Sequence, residues 1–136
     1  MNRVLIIEDE IVTAEAVKEA LALENISADI ASDGKSGLEK FVSHNYDLIL
    51  LDLKMPGLSG DEVLSEIRKR DPFIDVIIYT NYRDFADIKK LANIGIEGYI
   101  NKGPKADLSE LISAIKEKLA PLNDETISAL LKDVPN

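Results

Sequence analysis

The sequence predicts an α/β domain, with a parallel sheet covered by helices on both faces. Three observations carry this. Five short β-rich segments alternate with five helical stripes, the pattern of successive β-then-α units. The central segment, YDLILLD (46–52), is apolar over consecutive positions, as expected of a strand buried on both sides. The chain has 136 residues, 46% of them hydrophobic, which suits one domain around one core. Crossovers between such parallel strands should be right-handed.

The elements follow in order. RVLIIE (3–8) is a β-rich run bounded by acids. Residues 11–24 place Val12, Ala16, Ala20 and Leu23 on one helical stripe. ISADIA (26–31) alternates apolar and polar residues, which predicts a short, partly exposed strand. Asp33-Gly34 is a turn signal, and Leu38, Phe41 and Val42 follow at helical spacing. After the central strand, Met55-Pro56-Gly57 breaks the chain. Ser59 with Glu62 then forms a capping-box pattern ahead of a third helix with Val63 and Ile67. IDVIIYT (74–80) is the fourth strand. Asp84 is placed to cap a helix carrying Phe85, Ile88, Leu91 and Ala92. GIEGYIN (95–101) is the fifth strand. Leu108, Leu111, Ile112, Ile115 and Leu119 share one face of the last helix, which Pro121 stops. The domain is expected over residues 1–119. Residues 120–136 form a tail or the start of a linker, with a short helical pattern at Ile127, Leu130 and Leu131.

Composition narrows the function. No apolar run approaches the ~18 residues of a membrane span. The first residues, MNRVLII, are too short for a secretory signal and lack a small-residue cleavage site. Without cysteine there is no disulfide framework, thiolate metal site or thiol nucleophile. A cytoplasmic protein without membrane attachment is the expectation. The net charge of −9 repels phosphate backbones, so direct nucleic-acid binding is not expected, whereas an acidic cleft attracts a cation.

In open parallel sheets, ligands bind at the carboxyl ends of the strands. There the first strand ends in Glu8-Asp9-Glu10, the third in Asp52, the fourth in Thr80, and the fifth runs into Lys102. Each has an ordinary reading alone: Asp52 as a turn residue, Thr80 as a β-branched strand residue, Lys102 as a solvated charge, Glu10 as a first-turn helix acid. Together they suit a phosphoryl group, which offers oxygens to a metal, a hydroxyl and an ammonium at once. Asp52 is then a candidate nucleophile that carries an aspartyl-phosphate. Glu8 and Asp9 would hold Mg²⁺, Lys102 would neutralise phosphoryl charge and Thr80 would donate a hydrogen bond.

With these residues in view, the chain resembles the receiver domain of two-component response regulators. The matching pieces are VLIIEDE (4–10), LILLDLKMPGLSG (48–60), VIIYT (76–80) and GYINK (98–102), in order and over nearly the whole chain. The resemblance implies a flavodoxin-like, doubly wound (βα)₅ fold with strand order 2-1-3-4-5. It implies phosphotransfer to Asp52 from a histidine kinase or phosphotransfer protein. Mg²⁺ would be held by Glu8, Asp9, Asp52 and the backbone carbonyl of Lys54, with Mn²⁺ as a substitute. Thr80 and Lys102 match the family's hydroxyl and lysine, and Tyr99 the aromatic that changes rotamer on activation. The surface of the fourth helix, fifth strand and fifth helix would change. A downstream effector protein, an effector domain outside this chain, and a second copy joined on phosphorylation are the implied partners. Turnover would be limited to the domain's own phosphorylation and dephosphorylation.

The sequence departs from the family pattern in three places. Lys102 is followed by Gly103-Pro104 rather than directly by proline, which leaves the family's cis peptide open. Asn81 replaces a small residue after the hydroxyl, and Glu8 replaces the commoner Asp. Asn81 and Gly103 therefore stand as residues that modulate the site. They also keep alive the alternative of a receiver-like interaction module that is not phosphorylated. A phosphatase of the haloacid dehalogenase type needs a second Asp at position 54, where Lys54 stands. A P-loop NTPase lacks its glycine-rich loop here. His44 reads as a surface residue, distant in sequence from every motif.

Overall fold

The computed structural model describes residues 2–81, 85–102 and 108–120, with the backbone alone at 85–87. The expected cap at Asp84, the Gly103-Pro104 step and the tail with Ile127, Leu130 and Leu131 lie outside the described residues. The elements run β1 (Arg3–Ile7), α1 (Ile11–Ala22), β2 (Ser27–Ala31), α2 (Gly34–Ser43), β3 (Leu48–Leu51), α3 (Gly60–Arg70), β4 (Asp75–Thr80), α4 (Phe85–Ile94), β5 (Gly98–Asn101) and α5 (Leu108–Leu119). All strand pairs are parallel, in the order β2-β1-β3-β4-β5.

Side chains alternate across a strand, so each strand splits its residues between two cores. Val4, Ile6, Leu48, Leu50, Ile77 and Tyr79 pack under α1 and α5, meeting Ala14, Val17, Leu21, Leu111, Ile112 and Ile115. Leu5, Ile7, Ile49, Leu51, Val76 and Ile78 face the other way, onto Val63, Leu64 and Ile67 of α3 and Leu91 of α4. The central β3 is buried at every position, as its unbroken apolar run requires. β2 is the half-exposed edge that its alternation predicts.

Local signals explain most boundaries. Asp33 caps α2, its Oδ1 accepting from the Ser36 N–H at 2.7 Å. The capping box at α3 forms, with Glu62 accepting from the Ser59 N–H at 3.4 Å. Gly60 opens α3 where a Cβ would stand 2.7 Å from the Leu53 Cα, so only glycine lets the chain leave β3 so tightly. β5 starts at Gly98 rather than at 95, because Gly95 adopts φ +121° and turns the chain first.

Two stripes need correction. α1 buries Ala14, Val17 and Leu21, while Val12 is 79% and Leu23 87% exposed. Apolar residues crowd this helix, so two stripes satisfied the helical period, and the sheet takes the one that begins after the first turn. Leu23 falls at the C-cap, outside the helix. In α4, Leu91 is buried but Ala92 is exposed.

At the amino-terminal edge of the sheet, Arg68 ties α3 to its neighbours. It donates to the carbonyls of Ile74 (2.6 Å), Gly95 (3.0 Å) and Asp71 (3.3 Å) and pairs with Glu97 at 3.0 Å. Glu97 in turn accepts from the Val76 N–H at 2.6 Å.

Candidate functional site

The site is built by strand parity. Glu8 follows β1 on the side of Ile6, Asp52 follows β3 on the side of Leu50, and Lys102 follows β5 on the side of Ile100. All three therefore rise on the α1/α5 side of the carboxyl edge. Ladder bonds hold them there: Glu8 N–H to the Ala31 carbonyl (3.0 Å), Asp52 N–H to Ile7 (3.0 Å) and Lys102 N–H to Thr80 (2.9 Å). Three non-adjacent stretches of chain are thus fixed by sheet geometry before any side chain interacts.

The side chains then meet. The Lys102 ammonium lies 2.5 Å from Glu8 Oε2, 3.3 Å from Asp52 Oδ2 and 3.6 Å from Glu10 Oε1. Glu8, Asp52, Thr80 and Lys102 are the buried polar residues among those described, each no more than 5% exposed. Oxygens of Glu8, Glu10 and Asp52 come within 4.8 Å of one another. The Lys54 N–H donates to Asp52 Oδ1 at 3.3 Å.

One ammonium serves three carboxylates, and that imbalance shows in the electrostatics. Burial pushes the Glu8 carboxyl up to about 7, against the Lys102 hydrogen bond and aided by the charge of Asp52. For Lys102, burial disfavours the charge, but the Glu8 hydrogen bond and the charges of Asp52 and Glu8 outweigh it. The lysine stays firmly cationic. Glu8 lies nearest the ammonium, yet for its carboxyl burial outweighs that contact.

Asp9 is exposed and is not among the three clustered acids. Glu10, which the sequence marks only as a first-turn acid, is the third acid of this cluster, placed at the N-cap of α1. Thr80 ends β4 fully buried, with Asn81 exposed beyond it. Tyr99 is half-buried and packs on the α3/α4 side, the side of Ile78 and, by parity, of Thr80. His44 is exposed at the end of α2, apart from the cluster. Gly103 lies outside the described residues.

The donor set is hard and oxygen-only, and it carries more negative than positive charge. It fits a divalent cation such as Mg²⁺, with Glu8, Glu10 and Asp52 as the available carboxylates. A doubly wound parallel sheet that gathers acids and one lysine at its carboxyl edge, around a buried aspartate, has the architecture and the charge pattern of the receiver fold that the sequence resembles. Residues 4–116 match the family model for the response regulator receiver domain, and the chain belongs to that family. It is 40% identical to the response regulator ArlR of Staphylococcus saprophyticus over 119 residues, covering 88% of this chain and 53% of ArlR. The chain therefore spans about half the length of that curated relative. Among solved structures it is similar to the response regulator TrrA of Thermotoga maritima in complex with Mg²⁺-BeF (37% identity, TM-score 0.77, 88% of this chain and 100% of that one). It is similar also to TrrA in complex with the histidine kinase ThkA (36% identity, TM-score 0.77, with the same coverage). Among the described residues no helix is long and apolar enough to cross a membrane.

Proposed function

We propose that this receiver domain is a phosphorylation switch whose acceptor is Asp52. The observation that carries the reading is the Asp52 carboxylate, 4% exposed at the end of the central strand and facing both an acid cluster and a buried ammonium. The donor would be a phosphohistidine of a histidine kinase or phosphotransfer protein, in keeping with the kinase complex of the TrrA neighbour. An Asp52 oxygen forms the new O–P bond while the donor's P–N bond breaks. The electron pair returns to the imidazole, which then takes a proton.

Glu8, Glu10 and Asp52 would hold Mg²⁺, with the Lys54 carbonyl and Asp9 as the further oxygens that the family resemblance implies. Mn²⁺ offers the same preference for oxygen donors. The bound ion supplies charge neutralisation at the phosphoryl oxygens. Lys102 exchanges one carboxylate partner for a phosphoryl oxygen, and the Thr80 hydroxyl donates to another. Thr80 and Tyr99 lie on one side of the sheet, so a shift at Thr80 is passed to the half-buried ring and to the α4–β5–α5 surface. An effector protein, an effector domain outside this chain, or a second copy would read that surface. The chemistry is confined to the domain's own phosphorylation and hydrolysis, and the setting is cytoplasmic.

Incubation with a small phosphodonor and Mg²⁺, followed by intact-mass measurement, tests the reading. One phosphoryl adduct is expected, absent without Mg²⁺ and absent in Asp52→Asn. No adduct in the wild type, or an adduct that survives in Asp52→Asn, would overturn it.

A further inference from the structure

Tyr79 occupies a place that neither its burial nor its strand position explains fully. It is the penultimate residue of β4, 3% exposed, and by parity it lies under α1 and α5 rather than on the side of Thr80. Its ring lines one narrow seam with Glu8, Asp52, Thr13 and Ala14, directly beneath the acid cluster. The Lys102 ammonium sits over the ring face, 5.5 Å from its centroid. Within about 6 Å, the negative face of an aromatic ring attracts a cation, more so where water is excluded.

We infer that Tyr79 is a positioning residue for Lys102, a fixed aromatic floor on which the ammonium turns between Glu8 and the phosphoryl group on Asp52. This inference rests on the phosphorylation reading and deepens it. Among the described residues the ammonium's other contacts are all carboxylates, and those carboxylates are the groups a cation and a phosphoryl group engage. Once they are engaged, the lysine must exchange one anionic partner for another. The ring carries no net charge, coordinates neither metal nor phosphoryl group, and is fixed by the β4 ladder, with Tyr79 paired to Ile100 two residues before Lys102. It therefore holds the ammonium equally well in either state. An aliphatic residue would fill the same core volume but offer no such face.

The test compares Tyr79→Phe, which keeps the ring, with Tyr79→Met, which fills similar space without it. Each is made alone and in combination with Lys102→Met, and thermal melts check folding. The Asp52 phosphorylation rate at saturating Mg²⁺ should fall about three- to tenfold in Tyr79→Met and be restored in Tyr79→Phe. In the Lys102→Met background, Tyr79→Met should have no further effect, because the two side chains act through one contact. A residue that merely packs the core would slow the reaction by the same factor with or without the lysine, and that result overturns the inference. Unchanged rate in a folded Tyr79→Met variant overturns it too. A measurement on the unmodified protein stands beside these. The ε-methylene protons of Lys102 should resonate upfield of an ordinary lysine through the ring current of Tyr79, and an ordinary shift there sinks the idea. If the wild type takes up no phosphoryl group at all, it is the phosphorylation reading that fails, while the methylene shift still reports on the lysine–ring contact itself.

Discussion

Lys102 carries one positive charge among three carboxylates, and this sets what a substitution there does. In Lys102→Met, Glu8 and Asp52 are left buried and facing each other, since both sit within 3.3 Å of the lost ammonium. Removing one partner of a buried ion pair costs about 3 kcal/mol. The same change leaves the negative potential of the cluster unopposed, so Mg²⁺ should bind about tenfold more tightly. Titration followed by thermal melts checks both: the variant should melt lower than wild type without Mg²⁺ and regain most of the loss when Mg²⁺ is added. A variant that binds Mg²⁺ more weakly would mean that Lys102 helps form the cation site rather than competing with it. At this scale, Glu8, Asp52, Thr80 and Lys102 were legible because strand period and the strand-end rule place them without further information. The place of Glu10 in the acid cluster was not. Beyond Ile7 the chain leaves the strand, and the start of α1 decides which of three consecutive acids turns inward. Tyr79 was hidden for another reason: an aromatic residue in a strand is so ordinary that nothing in VIIYT marks its ring face as a lysine's floor.

Elements are held in register by polar clusters at the edge away from the site. Asp29 of β2 pairs with Arg3 of β1 at 2.7 Å and accepts from the Tyr46 hydroxyl at 2.8 Å, while the Arg3 guanidinium lies 5.3 Å from the Tyr46 ring centroid. Burial opposes ionisation of Asp29, but the hydrogen bonds from Tyr46 and Arg3 outweigh it and lower its pKa. A depressed carboxylate pKa stabilises the fold above the unfolded value near 4, and the benefit is lost as pH falls through the folded value. Urea midpoints should therefore show Asp29→Asn less stable than wild type at pH 7, with the gap closing below about pH 4. A gap that does not depend on pH would leave Asp29 as a neutral hydrogen-bond acceptor. Arg68 does the equivalent work for α3, β4 and the α4–β5 turn, with its side chain only 11% exposed. Arg68→Met should cost about 3 kcal/mol, because it removes the cation facing Glu97 and the donors to several part-buried carbonyls, and Arg68→Lys should recover little of it, since one ammonium cannot span the Gly95, Ile74 and Glu97 acceptors. Denaturant unfolding measures both. Existence and order of the elements were legible from period and turn chemistry. The α1 face was not, since only the sheet could choose between two stripes that both fit a helix.

The whole molecule makes the site out of sequence-distant parts. Lys102 meets Glu8 across 94 residues and Asp52 across 50, and neither pairing exists unless β1, β3, β4 and β5 are all in place. A cation held by Glu8, Glu10 and Asp52 would therefore bind the folded chain and not the unfolded one, and its binding energy would be stability of the entire domain. At ten times the dissociation constant the gain is about 1.4 kcal/mol, which for a domain of this size raises the melting temperature by about 3–5 °C. The net charge of −9 adds a second, unspecific contribution, because any salt screens the chain's self-repulsion. The two separate cleanly. Mg²⁺ should raise the melting temperature more than NaCl at equal ionic strength, and Asp52→Asn should remove that excess while keeping the NaCl response. Because the ligands stand at the ends of two strands of one sheet, the excess must appear as a shift of one cooperative transition seen alike by calorimetry and by circular dichroism. An excess that persists in Asp52→Asn would place the cation elsewhere on the acidic surface, and the convergence of strand ends would then have to be explained without it.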